Sequence, residues 1–436
     1  MLTIKVPINE HKFNSTFQVF NRTWQYLIEQ IKANLDYVFD NQEDLLQDFL
    51  KFLIKNCHPE FGGKNKVIFA AVGRSLFMGA KTAAMRLSQL GFNIDFPYSS
   101  KEIAGPAGPK SKIEKDDVII AISTSGKTLY VVNKVNYSRA IGCKIVVATA
   151  NEKSPVTEGP TEYIIKIPDK HNETALLEKF GGKDKVFTPL GTTSECTQMI
   201  FWEIIGAGLN YIISKSNKDG EFSDKDYKNA IKYIRSVYET LLTKANEHIN
   251  NCINQHSDHI KAFIANMILF YYSNHTVHLY GRGKIFNVVI APFEMRLRQM
   301  PKGYITSILR YAPKNRPVKP GQIAILVSGS GGIANTAKKV KELSKNGCIT
   351  VGVSSAPLDH EFWENIDNKI RLEGRIGTRE GSWEEHQWEG QHADFAPEGF
   401  QFELNSCLFF ESIYAAICDY IGITEEALKE GHANYE

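Results

Sequence analysis

A doubly wound α/β fold, built twice, is the architecture this sequence predicts, and three observations predict it. Short apolar runs alternate with segments whose apolar residues recur at helical spacing, the order that yields parallel strands joined by crossover helices. The run Ile119-Ile-Ala-Ile-Ser-Thr-Ser-Gly-Lys-Thr128 returns as Ala324-Ile-Leu-Val-Ser-Gly-Ser-Gly-Gly-Ile333, in each case a strand emptying into a Ser/Gly loop before a helix. At 436 residues the chain is too long for one ordinary core, and the polar stretch 214–223 (SKSNKDGEFS) divides it into domains 1–215 and 216–436.

The elements follow in order. Phe17, Phe20, Trp24, Leu27, Ile31, Leu35 and Val38 mark a helix, and Asp40-Asn41-Gln42 breaks it before a second one ending near residue 56. Val67–Val72 reads as a strand that Gly73-Arg74-Ser75 turns into a helix, stopped by Gly91. Phe92–Phe96 and Val118–Ser123 are further strands, and Thr128–Ile141 is a helix ending at Gly142. Lys144–Ala148 and Tyr163–Ile167 add strands, and Glu195–Ile213 closes the first half as a helix. The second half repeats the order: helices over 225–273, a strand at Val277–Tyr280, the Gly281-Arg-Gly-Lys284 turn and a helix holding Met295-Arg296-Leu297. The strand Ile323–Val327, its Ser328 loop, a helix to Asn346 and the strand Cys348–Val353 follow.

Spacing supports duplication. Gly73 to Met85 and Gly283 to Met295 are both 12 positions, and Gly126 to Glu195 and Gly331 to Glu403 are 69 and 72. The alignment sets Arg74 against Lys284 and Ser75 against Ile285.

Composition narrows the functional classes. With 51 basic and 49 acidic residues the formal net charge is +2, so no strong field recruits nucleic acid or an anionic membrane. The seven cysteines are odd in number and at least eleven residues apart, which excludes CxxC motifs and fits a reducing cytoplasm. No run approaches the roughly 20 apolar residues of a membrane span. The chain reads as cytosolic.

A buried strand opening into small hydroxylated residues and a helix makes a phosphate cradle from backbone N–H groups, the helix's positive end and side-chain hydroxyls. The loops at Gly73-Arg74-Ser75 and at Ser123–Thr128 lie at carboxyl ends of predicted strands, where open α/β sheets bind ligands. Ser75, Ser123, Ser125 and Thr128 supply up to four hydroxyls; the same residues also suit tight turns and helix caps. Glu195 is a natural general base beside a sugar phosphate, or equally a first-turn acid favoured by the helix dipole. His432, near the terminus, is a residue type suited to carrying a second proton.

These residues match a family. The Gly-Arg-Ser turn, the Ser-x-Ser-Gly-x-Thr loop, Ser154-Pro155 before the strand ending Ile167-Pro168, Pro189-Leu-Gly-Thr before Glu195, and the terminal His432-Ala-Asn-Tyr-Glu436 resemble the 6-phospho-3-hexuloisomerase branch of the sugar-isomerase (SIS) domain family. The resemblance covers residues 20–213 and, more weakly, 255–436. It implies two tandem SIS domains, each a flavodoxin-like parallel sheet in an αβα sandwich with helical N-terminal extensions. It also implies interconversion of a 3-hexulose 6-phosphate and fructose 6-phosphate, without metal or organic cofactor, at a site shared between neighbouring modules. Gly73, Arg74, Ser75, Ser123, Ser125, Gly126 and Thr128 would hold the phosphate. Glu195 would move a proton between C2 and C3, and His432 would shuttle the hydroxyl protons. An aldose–ketose isomerase of the phosphoglucose or arabinose-phosphate type and a non-catalytic sugar-phosphate sensor share the same loops.

The halves have diverged. Ile285 and Ile333 replace Ser75 and Thr128, leaving Lys284, Ser328, Ser330 and Glu403 as a degenerate second site. The first half has no histidine at the offset of His432 from Glu403. One working site per chain is therefore expected, completed by His432, as if a homodimer had been fused, with the tandem chains themselves pairing into an oligomer. Thr193-Ser194 stand where the family has bulkier apolar residues, and the loop 98–115 is longer than the family's. The segment 375–401, with Trp383, Trp388, His386 and His392, fits no metal template and suits a lid or an oligomer contact.

Overall fold

A computed structural model of the chain describes residues 9–95, 112–181, 188, 191–215, 222–273, 275–309, 317–332, 336–375 and 397–433, without the side chains of 397–399 and 431–433. The expectations for most of the loop 98–115, for most of the linker at 214–223 and for nearly all of 375–401 lie outside these residues.

The first sheet is formed by β1 (Val67–Ala70), β2 (Ile94–Asp95), β3 (Val118–Ile122), β4 (Lys144–Thr149) and β5 (Tyr163–Lys166) in the order β2-β1-β3-β4-β5. All its pairings are parallel. The second is formed by β6 (Thr276–Tyr280), β7 (Ile305–Ile308), β8 (Ile323–Ser328), β9 (Ile349–Ser354) and β10 (Asn368–Arg371). Its order, β7-β6-β8-β9-β10, is the same topology in repeat, again all parallel.

Helices α1 (Glu10–Asn41) and α2 (Glu43–Cys57) precede the first sheet, and α3 (Lys81–Gln89), α4 (Leu129–Ile141), α5 (Glu173–Phe180) and α6 (Thr192–Ile213) belong to the first half. The second half has α7 (Asp224–Ser273), α8 (Ala291–Gln299), α9 (Thr336–Lys345), α10 (Pro397–Ile421) and α11 (Glu425–Ala433). One compact unit comprises Glu29–Glu173 and Gly191–Leu242; the other comprises Met1–Ile28, Thr174–Leu190 and Thr243–Glu436. This division differs from a cut at residue 215. The 32-residue α1 and the two helical stretches of α7, which meet at a kink where His256 leaves helical geometry, each contribute one part to either core.

Alternation along the strands makes each sheet two-faced. In the first, Ile68, Ala70, Ile119, Ala121, Ile145 and Val147 share a core with Val131 and Val135 of α4. On the opposite face Phe69 meets Trp202 of α6 at 6.2 Å between ring centroids. Each buried Val, Ile or Phe side chain among them contributes about 1.5–3 kcal/mol of apolar burial. The second sheet repeats the arrangement. Ala324 and Leu326 pack with Val340 and Leu343 of α9, and Phe293 of α8 meets Phe410 of α10 at 4.9 Å.

Duplication extends to buried charge. Arg86 pairs with Glu203 inside the first unit, and Arg296 lies 3.9 Å from Glu411 in the second. In each unit the arginine also donates to a glutamine three residues on, Gln89 at 3.0 Å and Gln299 at 3.4 Å.

Two features depart from expectation. Strands β7 and β10 went unread because edge segments such as Asn368-Lys-Ile-Arg371 carry too few apolar residues to show a period. The helices after Gly73 and Gly283 begin as π-helical turns, Ser75–Ala80 and Phe286–Ile290, before becoming regular. Helix α11 continues through Ala433, so the backbone at His432 is helical.

Candidate active site

The first-sheet unit assembles its site residues at the carboxyl edge of β1 and β3. Gly73, at φ +57°, reverses the chain after β1 and presents Arg74, which is 4 % exposed. Arg74 Nε lies 3.2 Å from Glu195 Oε2, and an Nη donates to Met78 Sδ at 3.4 Å. Arg74, expected to hold phosphate, has its Nε facing the carboxylate. Glu195 sits in the first turn of α6, its N–H donating to the Gly191 carbonyl at 3.0 Å. A cation and an acid 121 positions apart thus form a nearly buried pair, with side-chain exposures of 2 % and 15 %.

The loop after β3 is bound to itself. Gly126 N–H donates to Ser123 Oγ at 3.2 Å, Lys127 N–H to Ser125 Oγ at 3.2 Å, and Ser123 Oγ to Thr128 Oγ1 at 3.4 Å. Thr128 also serves as the N-terminal flank of α4. Gly126 has φ +66°, and a Cβ there would lie 2.1 Å from Ser154 Oγ, so only glycine fits this turn. Ser154 is itself fixed in a capping box with Thr157. Ser75 is partly exposed and opens the π-turn directly after Arg74.

A polar network that sequence reasoning missed joins this loop to α6. Thr124 Oγ1 and Ser194 Oγ are hydrogen-bonded at 2.8 Å, and Ser194 N–H donates to Asp169 Oδ1 at 3.2 Å. Asn34 Nδ2 of α1 reaches the Asp169 carbonyl at 2.9 Å and Thr197 Oγ1 at 3.0 Å. Only Thr193-Ser194, polar where apolar residues were expected, hinted at it.

The second unit keeps the loop and changes its surroundings. Gly331 N–H donates to Ser328 Oγ at 3.2 Å and Gly332 N–H to Ser330 Oγ at 3.4 Å, repeating the first loop's bonds. Ile285 is buried where the first half has Ser75, and Lys284 Nζ lies 5.3 Å from the centre of the Phe400 ring. Glu403 is 3 % exposed. Gly329 occupies the position of Thr124, and a Cβ on it would lie 2.9 Å from Arg375 Cδ. The Arg375 side chain therefore fills the room that the Thr124 side chain takes in the first unit. On α7, His248 Nδ1 accepts from Asn405 Nδ2 at 3.0 Å, and burial holds its imidazole below the ordinary histidine range. A cavity of about 380 Å³ beside Gly331 and Gly332 is lined by Lys338, Lys341, Glu361 and Glu364, a charged surface groove distinct from the Glu195 site. His432 lies on α11 of this unit, its side chain outside the described residues.

A doubly wound sheet with a Ser/Thr/Gly loop at its carboxyl edge and a carboxylate at the head of the following helix layer defines the class, and the sequence matches the SIS domain model over residues 60–180. The chain belongs to the SIS-domain family. A protein of Methanothermobacter thermautotrophicus is 33% identical over 158 residues, 36% of this chain and 75% of that protein. The 3-hexulose-6-phosphate isomerase of Bacillus subtilis is 23% identical over 203 residues, 46% of this chain and 94% of that enzyme. The crystal structure of tagatose-6-phosphate ketose/aldose isomerase from Escherichia coli shares the fold, with a TM-score of 0.53 and 14% identity over 94% of this chain and 93% of that one. Among the described residues, no helix is long and apolar enough to cross a membrane.

Proposed function

We propose that this chain is a sugar-phosphate isomerase interconverting a 3-hexulose 6-phosphate and fructose 6-phosphate. The observation that carries the proposal is the Arg74–Glu195 pair in the same unit as an intact Ser123–Thr128 loop. Similarity to the Bacillus subtilis 3-hexulose-6-phosphate isomerase supports the choice of substrate. The loop hydroxyls, Ser75 and the backbone N–H groups around Gly126 anchor the phosphate and leave the open-chain sugar extended toward α6. Glu195 takes the proton from C2, giving a C2–C3 enediolate, and returns it to C3. The proton on O2 is lost and one is gained at O3, a transfer we assign to His432. Arg74 orients the carboxylate rather than gripping the phosphate. Fixing both ends of the substrate converts the proton transfers to an effectively unimolecular reaction.

Incubation with fructose 6-phosphate in D₂O, followed by NMR, tests the reading. Deuterium should enter at C3, and Glu195→Gln should abolish exchange while fructose 6-phosphate still binds. Deuterium entering at C1 would mean aldose–ketose chemistry. Binding without exchange at either carbon in the wild-type protein would leave a sugar-phosphate sensor.

A further inference from the structure

The Thr124–Ser194 bond joins the two parts of the proposed site, and nothing in the proton transfer itself uses it. Thr124 stands between Ser123 and Ser125, and Ser194 directly precedes Glu195. Their hydroxyls meet at 2.8 Å, and Ser194 is fully buried. Each partner is otherwise held. The Thr124 carbonyl accepts from Ala150 N–H at 3.1 Å and from Thr149 Oγ1 at 3.2 Å, both at the end of β4. Ser194 N–H is fixed on Asp169 at 3.2 Å. A displacement of the loop therefore has a direct side-chain route to the backbone that carries the carboxylate. The second unit supplies the contrast: Gly329 and Phe402 occupy the two positions, and neither side chain has a hydroxyl to bond.

We infer that Thr124 and Ser194 are positioning residues that couple phosphate occupancy of the Ser123–Thr128 loop to the placement of Glu195. The inference rests on the isomerase reading above. An anion drawing on the loop's N–H groups and hydroxyls moves or tightens Thr124, and the Thr124–Ser194 bond passes that constraint to the first turn of α6. The half-buried Thr124 and the fully buried Ser194 suit this task, because breaking the bond strands the Ser194 hydroxyl where water does not readily replace the partner.

The test is a double-mutant cycle with Thr124→Val, which keeps the branched shape, and Ser194→Ala. Each single variant should lower kcat for fructose 6-phosphate by about ten- to a hundredfold, the scale of a misplacement near 1 Å, with KM changed less than threefold. The double variant should lose no more than the worse single one, and Thr124→Ser, which restores the hydroxyl, should recover most of kcat. Multiplicative losses, a change confined to KM, or failure of Thr124→Ser to rescue would overturn the inference. The same four proteins are also compared in urea denaturation with and without fructose 6-phosphate, a readout independent of turnover. A coupling that grows when ligand is bound supports the inference, and one identical in both conditions marks a merely structural bond and refutes it. Absence of wild-type turnover alone would remove the isomerase reading, and the ligand-dependent coupling would still decide the role of the pair.

Discussion

The Arg74–Glu195 pair gives the most exacting test of how this site is built. At 3.2 Å and an effective dielectric constant near 20, two unit charges attract by about 5 kcal/mol before desolvation is subtracted. The Arg74 side chain is 2 % exposed, so removing Glu195 leaves a guanidinium that water cannot reach; the Glu195 side chain, at 15 %, is better solvated when Arg74 is lost. Breaking a buried pair from one side typically costs about 3–5 kcal/mol, whereas replacing both members by apolar or neutral groups of similar volume is far milder. Glu195→Gln should therefore destabilise the first-sheet unit by about 3 kcal/mol. Arg74→Met should lose somewhat less, and the double variant should recover about 2 kcal/mol relative to the sum of the two. Because the chain has two compact units, a global melt would mix their transitions. Native-state hydrogen exchange on peptides from α6, read against urea concentration, reports the correct unit. Additive losses, or full stability in Glu195→Gln, would refute the claim that Arg74 exists to hold the carboxylate. Arg74→Met should also fail to turn over fructose 6-phosphate while still binding it, since the phosphate loop is untouched.

Three further outcomes follow from the two units. A hydrogen bond to a charged group is worth about 1.5–3 kcal/mol, so Ser75→Ala and Thr128→Ala should each weaken fructose 6-phosphate binding by about ten- to a hundredfold, while Ser328→Ala and Ser330→Ala change it little. Calorimetry checks this, equal damage from both sets would mean two working cradles, and His432→Asn should lower kcat without altering affinity. In the second-sheet unit, burial lowers the histidine pKa of His248, His256 and His278 from 6.5. A lowered folded-state value means the unfolded chain binds more protons, so this stabilisation is complete above pH 6.5 and is lost as pH falls below it, by at most about 1.4 kcal/mol per pH unit for each group. Glu294, whose pKa burial raises from 4.5, opposes this from the carboxylate side. Native-state hydrogen exchange of the whole chain, read on peptides from 243–273 and β6 against urea between pH 7.5 and 5.5, should show falling stability, with a shallower slope in His278→Asn; a flat profile would count against the burial argument.

What was legible in the sequence follows from which interactions leave a local mark. The two Ser/Gly loops, the glycine stops at Gly91 and Gly142 and the apolar central strands were readable, because a buried parallel strand is a run of Val and Ile and a left-handed turn demands glycine. The edge strands of the second sheet were not, since β7 is Ile305-Thr-Ser-Ile308 and β10 is Asn368-Lys-Ile-Arg371. Long-range polar pairing leaves no period at all. Arg74 and Glu195 were each singled out, yet nothing in their neighbourhoods announced that they meet, and Thr124 and Ser194 stand 70 positions apart.

The duplication offered a further signal that alignment alone did not use. Met85-Arg86-Leu87 and Met295-Arg296-Leu297 marked the repeat, but the reason both copies keep the arginine is a buried partner eight residues beyond Glu195 and Glu403, at Glu203 and Glu411. Two copies that share buried ion pairs, sheet order and loop hydrogen bonds are under the same folding constraints. Their differences then isolate what folding does not require: Ser75 and Thr124 in the first unit stand against Ile285 and Gly329 in the second. A residue that the fold tolerates losing in one copy and that the other copy hydrogen-bonds to the helix of Glu195 is explained more economically by chemistry than by stability. That comparison is why Thr124, which no motif named, belongs with the candidate active site.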